Sequence, residues 1–124
     1  MTRHSNREKA MIVIYQNQVM KRPVDELIHN TFTEEEESDE YMMTVIRQAS
    51  ENTDRYHKYI DEVLEGWTFD RLGYIEQALL LNGCAEFDLK QESMQVIIDE
   101  YVRLAKKFCD GDSYKLINGV LDKI

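Results

Sequence analysis

Arg3, Arg7 and Lys9 crowd the first nine residues, with His4, Ser5 and Asn6 between them. Cations at that spacing can hold phosphates, and the interleaved amide and hydroxyl can meet a base edge, so the chemistry they suggest is RNA binding. The plainer alternative is an ordinary charged terminus. A second polar cluster closes the chain at Asp112-Ser113-Tyr114-Lys115. It reads either as part of a binding face or as a helix start with Asp112 or Ser113 as N-cap.

Other chemistries find less support. Glu34 to Glu37 with Asp39 and Glu40 put six acids into seven positions. No coordination geometry follows from such a run, which reads as a solvated face or a helix start. Asp110-Gly111-Asp112 resembles the opening of a calcium loop, but the twelfth position, where a bidentate glutamate belongs, is Leu121. His57 and Asp61 share a helix face at i, i+4 and make a surface pair, too few ligands for a metal. Nucleophile-elbow and glycine-rich phosphate loops are both missing from the sequence. The expectation is a chain that is not an enzyme and takes no metal, cofactor or small-molecule substrate.

The 124 residues are 43% hydrophobic and 31% charged, with one proline and five glycines. That is a globular mixture with too little turn punctuation for an all-β fold. The formal net charge of −9 opposes broad nonspecific nucleic-acid binding. Any RNA contact must come from a local patch, and a basic protein partner is favoured. Cys84 and Cys109 lack CxxC spacing and read as small buried hydrophobes of a reducing compartment. With no apolar run near the roughly 18 to 20 residues that span a bilayer, and no secretory pattern, a cytoplasmic location is expected and no membrane partner.

The elements that must position these residues are helical. A first helix starts near Ser5 or Asn6 and runs to about Val19, ended by Lys21-Arg22-Pro23. Residues 24–32 give a short helix with Leu27, Ile28 and Phe32 inward, and Thr33 with Glu36 matches a capping box. A long helical region over 39–65, interrupted near Asn52, is closed by Gly66. Trp67 and Phe69 are expected to plug the core. A helix over 73–85 turns Ile75, Ala78, Leu79 and Leu80 inward. Another over 91–109 carries Ile97, Tyr101, Leu104, Ala105 and Phe108 as its apolar stripe. The last, over 112–123, buries Ile117, Val120, Leu121 and Ile124. The sum is an all-α compact bundle of six or seven helices, read as one domain over 1–124.

Several segments together resemble the NusB family. They are Arg7-Glu-Lys-Ala10 leading to Tyr15, Asp70-Arg-Leu72 with Ile75-Glu76, and Glu86. They continue as Asp99-Glu100, Leu104-Ala-Lys106 and Phe108, then Asp112-Ser113, Lys115 and Asn118-Gly-Val-Leu-Asp122. The resemblance implies a fold of two packed helical subdomains and a transcription antitermination factor rather than an enzyme. It implies pairing with the small-subunit ribosomal protein NusE, binding of boxA RNA in nascent ribosomal transcripts, and service in an antitermination complex on RNA polymerase. Carried over by position, Arg3, Asn6, Arg7 and Lys9 are RNA contacts, with Asp112, Ser113 and Lys115 on the same RNA face. Tyr15 and Glu76 map to the NusE-facing surface. The chain departs from the family where His4, Ser5 and Asn6 replace arginines, where Leu116 replaces a phenylalanine beside Tyr114, and at Leu81, Ala85 and Asp99. A weaker intrinsic RNA affinity follows, with NusE supplying a larger share. The alternative is a NusB-like helical protein-interaction module that has lost RNA binding.

Overall fold

The computed structural model describes residues 2–124. Eight α-helices and one 3-10 turn account for the regular structure of the described residues, with no strand among them. They are α1 (Arg3–Met20), α2 (Val24–Thr31), α3 (Glu34–Glu37), α4 (Glu40–Glu51) and α5 (Thr53–Val63). After the 3-10 turn Phe69–Arg71 come α6 (Tyr74–Leu89), α7 (Met94–Phe108) and α8 (Ser113–Lys123). None of them is long and apolar enough to cross a membrane.

The helix count exceeds six or seven for two local reasons. Thr33 accepts the Glu36 N–H at 3.2 Å while the Glu36 carboxylate takes the Thr33 N–H at 2.8 Å, so the expected capping box closes a separate single-turn α3. At Asn52 the side chain donates to the Gln48 carbonyl at 2.9 Å, and the backbone leaves helical geometry there, splitting α4 from α5.

α1 begins before Ser5, because Thr2 and Ser5 exchange side-chain and backbone hydrogen bonds, both at 3.1 Å. It ends at Lys21, whose φ of 57° lies in the left-handed region, ahead of Pro23. α5 stops at Leu64 rather than Gly66, which lies out in the following loop.

α6 is the hub. It packs against α1, α4, α5, α7 and α8, and every residue from Gln77 to Glu86 is buried. A helix enclosed all round needs no polar face, which is why its sequence shows no amphipathic stripe. Gly83 permits the α8 approach, since a Cβ there would meet Leu121 at 2.8 Å. α1, α2 and α4 pack on one another, α6, α7 and α8 do likewise with α5 against α6 and α8, and α6 joins the two groups through α1 and α4. One contiguous apolar cluster runs through both.

Expectations for the core are corrected at two aromatics, and Ile75, Cys109 and Ile124 are only partly buried. Phe69 is buried, but Trp67 is 56% exposed, because it precedes the 3-10 turn that carries Phe69 inward. Phe108, the last residue of α7, is exposed rather than part of the stripe.

Candidate functional site

Arg7 shares a face of α1 with Ala10, Met11 and Ile14, all buried, at i, i+3, i+4 and i+7. That register sends the guanidinium into the bundle, where the residue is 3% exposed. Its Nε and Nη2 donate to the two oxygens of Glu86 at 2.9 and 2.8 Å, and Glu86 is 0% exposed. Tyr41 donates its phenol to the same carboxylate at 2.7 Å, and Tyr101 donates to it as well. Burial alone would lower the Arg7 pKa, but the hydrogen bonds and charge of Glu86 outweigh it and hold the guanidinium charged. Burial, then Glu86, pushes both phenols up. Arg7 is therefore corrected from a phosphate contact to half of a buried ion pair joining α1 to α6.

Asn6 is also withdrawn from the surface, at 2% exposed, with its amide nitrogen donating to Asp39 at 3.1 Å. Its Oδ1 has no partner but is buried, so the amide turns no edge to solvent. Arg3 is exposed but gives Nε and Nη2 to Asp39 at 3.2 and 3.3 Å, with its guanidinium 4.5 Å from the Tyr41 ring centroid. Lys9 holds both oxygens of Glu36 at 2.6 Å, and His4 pairs with Glu100. The acidic run is thus only partly a solvated face: Glu36 and Asp39 bind the basic start of α1. Burial would raise the Asp39 carboxyl, but donors from Asn6, the Met42 N–H and Arg3 keep it below its ordinary range.

At the other end of the chain a cationic surface joins Lys115 and Tyr114, which the sequence marks, to Lys106 and Lys107 of α7. Lys106 Nζ lies 4.9 Å from the Tyr114 ring centroid, Lys115 Nζ lies 6.0 Å from the same ring, and Lys107 Nζ lies 5.2 Å from Phe108. Among the described residues Lys106 has no acidic partner. Lys107 reaches Glu8 at 3.2 Å and Lys115 reaches Asp112 at 3.6 Å, both as exposed pairs worth little in water. Two lysines in the last turn of a helix are also what the macrodipole favours, so their position alone gave them no further meaning.

Asp112 occupies the N-cap position of α8 without making the expected side-chain cap bond. Together with Ser113 it lines a cleft of about 400 Å³ shared with Trp67 and Glu76. Glu76 caps α6, accepting the Gly73 N–H at 2.9 Å. Tyr15, half-buried, meets Tyr74 edge-on with ring centroids 6.4 Å apart at the same helix start. The structure thus gathers Tyr15 and Glu76 around the beginning of α6 and places Asp112 and Ser113 in one cleft with Glu76. His57 and Asp61 pair at 3.0 Å as expected, and no group of three metal-ligating side chains occurs among the described residues.

The model of the NusB family matches residues 4–124. The chain belongs to the NusB family. It is 37% identical over 126 residues to the transcription antitermination protein NusB of Exiguobacterium sp., covering 100% of this chain and 97% of that one. Against the NusB of Shouchella clausii the identity is 35% over 122 residues, covering 98% and 92%. The structure of T. maritima NusB superposes with a TM-score of 0.84 at 24% identity, covering 99% of this chain and 89% of that one, which bears on the fold. A chain from the crystal structure of antitermination factors NusB and NusE in complex with dsRNA superposes with a TM-score of 0.80 at 27% identity, covering 98% and 96%. The all-helical expectation for a NusB-family chain stands, and its two helix groups are those joined by α6.

Proposed function

We propose that this NusB-family chain is a transcription antitermination factor that pairs with NusE and binds boxA RNA, a cytoplasmic adaptor without catalysis. The observation that carries the RNA half is the corner where α7 meets α8. Lys106, Lys107 and Lys115 stand there around the rings of Tyr114 and Phe108. Cations track a phosphate backbone while aromatic rings receive unstacked bases, the pairing that single-stranded RNA calls for. Tyr114 supplies a ring beside the position where Leu116 has replaced the family's phenylalanine.

Arg3 and Lys9 reach phosphate only by exchanging Asp39 and Glu36 for it, so their contribution is small and strongly salt-dependent. Tyr15 and Glu76 form the NusE side, where a carboxylate suits a basic ribosomal protein. The neutralised start of α1 favours a second reading, an interaction module that keeps the protein partner and has shed RNA.

Fluorescence anisotropy of labelled boxA RNA, with and without NusE and against a scrambled RNA, separates the two. Sequence-dependent binding tightened by NusE supports the adaptor. NusE binding with no preference for boxA leaves only the module.

A further inference from the structure

Trp67 is the single tryptophan of the chain and is 56% exposed. Tryptophan is among the residue types most enriched at the energetic centre of protein–protein docking sites. Trp67 stands at a cleft of about 400 Å³ with Leu72 and Leu116 as apolar lining. Three carboxylates, Glu76, Asp110 and Asp112, line the same cleft with one cation, Arg71, while Lys115 approaches Asp112 at 3.6 Å from outside the lining. Among the described residues no cation of the chain lies over the indole ring, so its π face is unused. The neighbouring Cys109 thiol, raised first by burial and then by Glu76 and Asp110, is pushed up to about 11. The field in this corner is negative.

We infer that the Trp67 cleft receives a lysine or arginine side chain from a basic protein partner, stacked on the indole and neutralised by Glu76, Asp110 and Asp112. An apolar floor accepts the methylene stem, an aromatic face and carboxylates accept the charge, and the two demands meet only in a long cationic side chain. The same carboxylates repel phosphate from the cleft itself, so RNA is left to the lysines of the α7–α8 corner, with Lys115 3.6 Å from Asp112 at the boundary between the two. The inference rests on the NusE reading of Glu76 and extends it to the partner's chemistry.

The test uses the full chain labelled with 5-fluorotryptophan, so that one ¹⁹F resonance reports on Trp67 alone. NusE is titrated while calorimetry follows binding independently. The resonance should shift on NusE addition and stay in place on boxA RNA addition. Trp67→Leu, which keeps apolar area but loses the π face, should weaken NusE binding at least tenfold, and Asp110→Asn with Asp112→Asn should weaken it about tenfold. All three positions are exposed, so folding is unaffected. NusE binding in the calorimeter with an unmoved resonance overturns the cleft assignment and leaves the NusE reading intact. A shift produced by RNA instead assigns the cleft to RNA and overturns the inference. No NusE binding at all overturns both.

Discussion

Replacing Arg7 by alanine should unfold the protein more readily rather than weaken a surface contact. The substitution removes two charge-assisted hydrogen bonds of 2.9 and 2.8 Å and leaves the fully buried Glu86 carboxylate with only the Tyr41 and Tyr101 phenols. Breaking a buried pair by deleting one partner costs about 3–5 kcal/mol, because the remaining charge has lost its compensation. That is a large share of the roughly 5–15 kcal/mol that holds a domain folded. For 124 residues the entropy of unfolding converts each kcal/mol into about 4 °C, so the melting temperature should fall by roughly 12–20 °C. Arg7→Lys should recover little, since one ammonium cannot repeat the bidentate fork. Arg7→Met combined with Glu86→Gln removes both charges and keeps an acceptor for the phenols. That pair should lie about 1–3 kcal/mol above the sum of its single changes. Urea titration at fixed pH measures each of these variants. If Arg7→Ala unfolds within about 1 kcal/mol of the parent and instead flattens the salt dependence of RNA binding, the guanidinium faces phosphate and the ion-pair account is wrong.

Other changes separate charge from scaffold. Glu76→Gln keeps an oxygen for the Gly73 N–H and should melt near the parent while binding NusE less tightly. Glu76→Lys should lose the cap as well, costing about 1 kcal/mol, and a pair of melts beside two calorimetric titrations distinguishes them. Asp88 gives a pH signature. Burial would raise its carboxyl, but hydrogen bonds from Tyr56 at 2.5 Å and Arg55 at 2.6 Å keep it below the ordinary range. A depressed folded pKa means its stabilisation is complete above the unfolded value of about 4 and is lost as pH falls through the lower folded value. Urea midpoints should therefore drop more steeply below about pH 4 in the parent than in Asp88→Asn, and equal slopes would remove Asp88 from acid unfolding.

Much of the fold was legible because its helices announce themselves locally. The Thr33–Glu36 box, the stripe of α7 and the proline after α1 each depend on neighbours within one or two turns. The candidate site was less so. Arg7 falls on the same face as Ala10, Met11 and Ile14, a register that could have shown it pointing inward. Its charge argued for the surface, and only the partner Glu86, 79 residues away, makes burial tolerable. Trp67 was misplaced for the opposite reason: its type suggested the core, while the 3-10 turn after it decided which aromatic enters. Lys106 of α7 gains meaning only from Tyr114 across the turn, a contact that no helical periodicity encodes.

The most direct test of the account is the salt dependence of boxA RNA affinity for the NusE complex, measured for the parent and for a variant with Lys106, Lys107 and Lys115 all changed to alanine. Each phosphate of single-stranded RNA that a lysine neutralises adds about 0.7 to the slope of log affinity against log salt. The account predicts a slope shallower by about 2 in the triple variant and a weaker complex at every salt concentration, with the melting temperature unchanged. An unaltered slope in a folded variant would show that the RNA lies elsewhere.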